Sequence, residues 1–131
     1  MTSTIIEARN LVKTYQTTER PFHALNGLTL MVNQGEFAAV MGPSGCGKST
    51  LLHMLGGLDS PDSGEVLINN ARIDNLNETH RALLRRKEIG FVFQFFNLIS
   101  NLSVADNIEI PALIAGTSST EARQRREQLL N

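Results

Sequence analysis

The stretch Gly42-Pro-Ser-Gly-Cys-Gly-Lys-Ser49 decides the fold of this 131-residue chain. It matches G-x-x-x-x-G-K-S, the pattern of a loop whose backbone N–H groups surround phosphates. The apolar run Phe37–Met41 leads into the loop, and a helix-forming run of about residues 48–57 leads out of it. Continuous apolarity is typical of a central strand that is covered on both faces. The order of strand, loop and helix therefore predicts an α/β fold with a phosphate-binding loop, the P-loop.

The residue types of the P-loop each suit a role in binding a nucleoside triphosphate. Glycines bring backbone N–H groups close to phosphates without a Cβ in the way, and the helix N-terminus adds donors and a positive dipole end. We expect Lys48 to reach the β- and γ-phosphates and the Ser49 hydroxyl to ligate Mg²⁺. A dinucleotide-binding fingerprint is rejected because Thr50 stands where its third glycine belongs. Cys46 is interpreted as a space-filling residue, although thiols at helix N-termini can be reactive.

The predicted nucleotide-binding set in the loop includes its flanking residues. Its members are Gly42, Pro43, Ser44, Gly45, Cys46, Gly47, Lys48, Ser49 and Thr50.

Composition excludes several other kinds of protein. Hydrophobic residues make up 41% and charged residues 19%, a balance typical of globular domains. Twelve Lys and Arg against thirteen Asp and Glu leave a net charge of −1, so no nucleic-acid partner is expected. One cysteine excludes an intramolecular disulfide framework. The sequence has neither a membrane-spanning run nor a secretory-signal pattern at its start, which predicts a cytoplasmic location.

Local signals predict the remaining elements. Strands are expected at Ile5–Tyr15, Leu28–Val32 and Ile89–Phe93, and a tight turn at Asn69-Asn70 between two short strands. Helices are expected at Asn77–Lys87, Ser103–Ala115 and Thr120–Leu130, the last opened by a capping box at Ser118–Glu121.

Three blocks in this order resemble the first half of the ATPase of ABC transporters. They are Met41–Leu52, Leu55–Val66 and Ile89–Gln94, and the resemblance covers nearly all of residues 5–116. It implies a P-loop NTPase fold with a RecA-like parallel core and an antiparallel β subdomain. Residues 1–94 would form the β subdomain and the P-loop core, and residues 95–131 the Q-loop and the start of the helical subdomain.

Further segments resemble one branch of that family, the lipoprotein-releasing and macrolide-export ATPases. The segments are His23–Gly27, Leu55–Asp59, Arg85-Arg86, Phe96–Leu98 and Ile110–Leu113. The resemblance implies an ATPase that uses ATP and Mg²⁺ and pairs as a dimer. Its partner would be a transmembrane permease subunit, and it would lie on the cytoplasmic face of the inner membrane. ATP binding and hydrolysis would drive export or lipoprotein release.

Two more residues match functional positions of the family. Tyr15 matches the aromatic residue that stacks on adenine; the alternative is a strand tyrosine that packs on the sheet. Gln94 matches the Q-loop glutamine, which helps to ligate Mg²⁺ and touches the attacking water; the alternative is a polar residue at a strand end. The resemblance thus implies catalytic roles for Lys48 and Gln94, and Mg²⁺ ligation by Ser49 and Gln94.

The loop after Gln94 is rich in apolar side chains, which favours a docking surface. They are Phe95, Phe96, Leu98, Ile99 and Leu102. The resemblance implies that the permease subunit docks near them; ordinary packing onto the neighbouring helices is the alternative. The basic residues Arg81, Arg85, Arg86 and Lys87 are interpreted as a solvated helix face rather than a lipid contact.

Residues 95–131 lack three motifs that the family uses in catalysis. These are the Leu-Ser-Gly-Gly-Gln-like signature, a strand ending in Asp and Glu, and a later histidine. The chain is therefore expected to be an N-terminal portion that cannot turn over ATP alone. One alternative is a non-hydrolysing nucleotide-binding or regulatory module. Another is a P-loop kinase of small substrates, which leaves Tyr15 and Gln94 unexplained.

Overall fold

The computed structural model describes residues 3–131. The predicted region 1–94 begins with two residues that lie outside this range. The chain divides into two compact units, one extending to Ala82 and the other formed by Leu83–Asn131.

The first unit contains an antiparallel sheet. Its strands are β1 (Thr4–Tyr15), β2 (Phe22–Asn33), β3 (Ser63–Ile68) and β4 (Ala71–Arg72), in the spatial order β2-β1-β3-β4. The turn between β3 and β4 is Asn69-Asn70, with φ angles of 49° and 63°. Two consecutive positive φ angles suit a tight hairpin turn, so the predicted turn is confirmed.

One helix covers this sheet and carries the P-loop at its start. It is α1 (Lys48–Leu55), and it buries Leu51 and Met54. Other buried apolar residues of the unit are Ala8, Leu11, Ala24, Leu25, Val66, Ile68 and Ile73. Fully burying one such large aliphatic side chain stabilises a fold by about 1.5–3 kcal/mol. The apolar stripe of α1 therefore fixes the helix, and with it the P-loop, against the sheet.

The prediction of two buried core strands is wrong in this structure. Phe37–Met41 and Ile89–Phe93 have no strand assignment, Phe37 is 96% exposed and Val92 is fully exposed. A strand forms only where a neighbour accepts and donates ladder hydrogen bonds. Within residues 3–131, none of the four strands pairs with either segment. The α/β class and the antiparallel subdomain are confirmed, but the described strands pair only in antiparallel fashion.

The helices after the sheet follow the predicted order. They are α2 (Glu78–Glu88), which contains the division between the two units, α3 (Val104–Ile114) and α4 (Ser119–Leu130). The capping box predicted at Ser118 is confirmed, and a second one at Ser103 opens α3. Within residues 3–131, none of the helices is long and apolar enough to cross a membrane.

Candidate functional site

The P-loop lies against β2 through one glycine. Gly47 has a φ of +93°, and a Cβ at this position would lie 2.3 Å from the carbonyl oxygen of Ala24 in β2. Gly45 has a φ of +78°, but open space surrounds it. Residues with a Cβ rarely adopt these angles. The glycine of the pattern at position 47 is thus needed both for the turn and for the close approach of the loop to the sheet.

The start of α1 has the features of an anion-binding helix end. Its N-cap residue is Gly47, no side chain caps it, and its first turn carries no acidic residue. The first N–H groups of a helix have no partner inside the helix, and the dipole places about half a positive charge there. These donors are therefore open to an anionic ligand such as a phosphate.

A small cavity of about 160 Å³ lies at this helix end. It is lined by Phe22, Gly45, Gly47, Lys48, Ser49 and Thr50. Pockets that enclose drug-sized ligands are usually about 300–1,000 Å³. The cavity therefore suits the phosphate groups of a nucleotide, with the base lying outside it. The Ser49 hydroxyl belongs to the same concave surface, where it could act as one protein ligand of a phosphate-bound Mg²⁺.

The side chain of Lys48 folds back over its own loop. Its ammonium donates hydrogen bonds to the carbonyl oxygens of Gly42 (2.8 Å) and Pro43 (2.7 Å), and its nitrogen lies 3.7 Å from the Cys46 sulfur. An ammonium has three donors and no acceptor, and its bonds to charged oxygens are stronger than those to neutral ones. A phosphate in the cavity would therefore compete well for Lys48.

The predicted base-binding residue Tyr15 lies at the end of β1 and is 37% exposed. It pairs across the hairpin with Phe22, the aromatic residue that lines the cavity. Phe22 is not among the predicted site residues, because the second strand was expected to begin only at Leu28. A signal was present, since an aromatic residue is typical of a strand.

The turn that follows α1 places charged groups beside Tyr15. The Lys13 ammonium donates hydrogen bonds to Asp59 Oδ1 at 3.1 Å and to the Ser60 carbonyl oxygen at 2.7 Å. Its nitrogen also lies 3.1 Å from Asp59 Oδ2, which completes an ion pair. Partial burial raises the pKa of Asp59, but hydrogen bonds from the Ser60 N–H and from Lys13 outweigh it. The net effect holds the pKa below its usual value. Asp59 is therefore ionised at neutral pH and forms a full ion pair with Lys13.

Gln94 lies in the second compact unit, exposed, in the segment between α2 and α3. Its predicted cooperation with Lys48 and Ser49 stays a prediction. Within residues 3–131, no group of three or more His, Cys, Asp or Glu side chains could hold a metal ion.

The apolar loop after Gln94 forms a second cavity of about 390 Å³. It is lined by Leu98, Ile99, Ser100, Leu102, Val104, Asn107 and Ile108. The Asn107 side chain organises this loop, because it accepts a hydrogen bond from the Ile99 N–H (2.8 Å) and donates to the Ile99 and Ser103 carbonyls. Phe95 and Phe96 are largely exposed. The predicted docking loop thus presents apolar surface on a hydrogen-bonded frame.

A family model described as "ABC transporter" matches residues 25–131. The lipoprotein-releasing system ATP-binding protein LolD of Saccharophagus degradans is similar, with 42% identity over 131 residues. The match covers the whole of this chain and 58% of that protein. The macrolide export ATP-binding/permease protein MacB of Brucella abortus is 42% identical over 127 residues, which cover 97% of this chain and 20% of that protein.

A solved structure is similar in fold as well as in sequence. It is the dimeric ATP-binding cassette MJ0796 of Methanocaldococcus jannaschii, in a post-hydrolysis state bound to ADP and Pi. The TM-score is 0.89 at 40% identity, and the match covers 95% of this chain and 55% of that one. The chain thus spans somewhat more than half the length of LolD and of this cassette.

Proposed function

Because this chain belongs to the ABC transporter family, we propose that it is the ATP-binding part of a transporter subunit. That subunit would couple ATP binding and hydrolysis to export or to lipoprotein release. Residues 1–94 would form the β subdomain and P-loop core, and residues 95–131 the Q-loop and the start of the helical subdomain.

The observation that carries the proposal is the geometry of the P-loop. An uncapped helix N-terminus, Lys48 and Ser49 border one small cavity, and Gly47 holds the loop against β2. Backbone donors, a positive dipole end and a lysine are the groups that bind a chain of phosphates. The phosphates of ATP therefore fit this cavity better than an apolar ligand would.

The remaining site residues are proposed around these phosphates. Tyr15 would stack on adenine, and Ser49 and Gln94 would ligate Mg²⁺. When bound, Mg²⁺ neutralises charge on the phosphate oxygens. Lys48 holds the β- and γ-phosphates by charge-assisted hydrogen bonds, and the neutral amide of Gln94 orients water near the γ-phosphate.

We propose that the chain works on the cytoplasmic face of the inner membrane with a transmembrane permease subunit. The docking surface is the exposed apolar loop that contains Phe95, Phe96, Leu98 and Leu102. A dimer of ATPase domains is proposed by analogy with the dimeric cassette MJ0796. The proposed role is supported by the names of two relatives, since LolD is named for lipoprotein release and MacB for macrolide export.

The 131-residue chain by itself is proposed to bind ATP without turning it over. Phosphoryl transfer needs positioned phosphates, a metal and an oriented water. Of these three requirements, the P-loop of this chain meets the positioning of phosphates most fully. A non-hydrolysing regulatory module would show the same binding, so ATP binding alone does not separate these two functions.

Calorimetric titration of Mg-ATP into the chain tests the proposal. Lys48→Ala should weaken binding about tenfold to 100-fold, because a hydrogen bond to a charged group contributes about 1.5–3 kcal/mol. Lys87→Ala, on the exposed face of α2, is the matched control and should bind like the wild type. Equal affinity of the Lys48→Ala variant would contradict the proposed phosphate site. Steady release of phosphate, abolished by Lys48→Ala, would overturn the claim that the chain does not turn over ATP.

A further inference from the structure

A cluster beside Tyr15 links the base-binding end of the site to the turn after α1. The cluster consists of Lys13, Tyr15 and Asp59. The Lys13 nitrogen lies over the Tyr15 ring, 5.4 Å from its centroid. The Tyr15 hydroxyl makes a long contact of 3.4 Å to the Asp59 carboxylate. Tyr15 thus has a cation at its ring and an anion at its hydroxyl.

The lysine of this cluster is held in place from the other side. Its side chain is only 13% exposed, and its ammonium has acceptors in the Asp59 carboxylate and the Ser60 carbonyl oxygen. A lysine side chain that is free in solvent loses rotational freedom about several bonds when it is ordered. Here the two acceptors fix the ammonium, so the tyrosine meets a charge of defined position.

The turn that supplies these acceptors is itself attached to both neighbouring elements. The Asp62 N–H donates to the Val12 carbonyl oxygen of β1 at 2.8 Å, and the Thr14 N–H donates to the Asp62 carboxylate at 2.6 Å. At the other end, the Leu58 N–H donates to the His53 carbonyl oxygen of α1 at 2.9 Å. The end of β1 and the helix that begins at the P-loop therefore share one hydrogen-bonded turn.

We propose that Lys13, held by Asp59, is a positioning residue that fixes the Tyr15 ring for stacking on the base of the nucleotide. This inference rests on the proposed role of Tyr15. A cation at one face of an aromatic ring attracts the ring and restricts its rotation. The opposite face is then left for the adenine. The same turn also joins the end of β1 to α1, through hydrogen bonds that do not involve Lys13.

A positioning role predicts an effect that depends on the base. Mg-ATP would contact both the P-loop and Tyr15, whereas Mg-tripolyphosphate, which has no base, would contact the P-loop alone. Loss of the lysine should therefore weaken ATP binding and leave tripolyphosphate binding unchanged. A merely structural role would weaken both ligands together, because a loosened sheet would disturb the loop as well.

The experiment measures the affinity of the 131-residue chain for both ligands by calorimetry. Lys13→Met should weaken Mg-ATP binding about two- to fivefold, the range that corresponds to a weak cation–π contact. Asp59→Asn should act in the same direction, and Lys13→Arg should restore the affinity because it keeps the cation. Lys87→Met is the matched control and should bind both ligands like the wild type.

Two further readouts separate the possible failures. Tyr15 is the only tyrosine and the chain has no tryptophan, so its emission reports its own surroundings and should change in Lys13→Met but not in Lys87→Met. In a double-mutant cycle, Lys13→Met should have no added effect on ATP binding in a Tyr15→Ala background.

The ATP affinities of Tyr15→Ala and Lys13→Met distinguish the two proposed roles. If Tyr15→Ala weakens ATP but Lys13→Met does not, the positioning role is overturned and the proposed function of Tyr15 stands. A parallel loss of ATP and tripolyphosphate in Lys13→Met also overturns it. If Tyr15→Ala itself leaves ATP affinity unchanged, the proposed role of Tyr15 fails, and the positioning role fails with it.

Discussion

Replacing Gly47 by alanine should damage the P-loop more than the same change at Gly45. Both glycines have positive φ angles, +93° and +78°. A residue with a Cβ pays roughly 1–2 kcal/mol in that conformation. Only at Gly47 does the new Cβ also meet backbone, 2.3 Å from the Ala24 carbonyl oxygen. Ordinary contacts begin near 3.4 Å, so the loop and β2 must move apart by roughly 1 Å.

The two variants therefore form a matched pair that isolates this one contact. Gly45→Ala should lower the free energy of unfolding by about 1–2 kcal/mol. Gly47→Ala should lower it by a further 1–3 kcal/mol or so, the usual cost of forcing atoms into a packed site. Urea denaturation followed by circular dichroism measures both values, and a titration with Mg-tripolyphosphate shows whether the displaced loop still binds phosphates.

Equal losses of stability in the two variants would contradict a close contact between Gly47 and Ala24. That result would mean that the loop is not seated on β2 at Gly47, and that only the backbone conformation matters. A stability loss at Gly47 without any loss of tripolyphosphate affinity would separate the folding role of the contact from its role in the site.

Two other predictions concern single side chains. Mg-ATP should slow alkylation of Cys46, which is exposed and lies in the P-loop; equal labelling rates with and without saturating nucleotide would contradict its placement at the phosphates. Asp74 should make the fold sensitive to acid. Burial raises the pKa of Asp74, but hydrogen bonds from Arg72 and from the Val66 N–H outweigh it and keep the pKa below its usual value. Because the folded pKa lies below the unfolded one, this stabilisation is present above about pH 4 and is lost as pH falls through the folded pKa. Urea denaturation at a series of pH values should show a smaller loss in acid for Asp74→Asn than for the wild type. The variant should also be less stable at pH 7 by about 1–3 kcal/mol; an unchanged pH profile would contradict the assignment.

The features that the sequence predicted well depend on neighbours in the chain. The Asn69-Asn70 turn needs residues that tolerate positive φ, and the capping box at Ser118 needs a glutamate three residues later. Both signals are complete within a few residues. The helices were predicted for the same reason, and their observed ends differ by only one or two residues.

The features that the sequence did not predict depend on distant partners. Phe37–Met41 has the composition of a strand, but a strand requires a neighbouring ladder that composition does not supply. Phe22 reaches the cavity because its register with Tyr15 extends β2 beyond the predicted start. The Lys13–Asp59 pair joins residues 46 positions apart. Contacts of this kind depend on how distant parts of the chain come together, which no local pattern records.

The proposed function depends above all on the backbone N–H groups of the P-loop and of the first turn of α1, which would hold the phosphates of ATP. The most direct measurement is an amide NMR titration of the chain with Mg-ATP and with Mg-tripolyphosphate. We expect the largest saturable shifts for both ligands in the amides of residues 45–50, and we expect Lys48→Ala to lower the affinity with which both ligands produce them. Shifts centred elsewhere, or unchanged amides in residues 45–50 at saturating ligand, would contradict it.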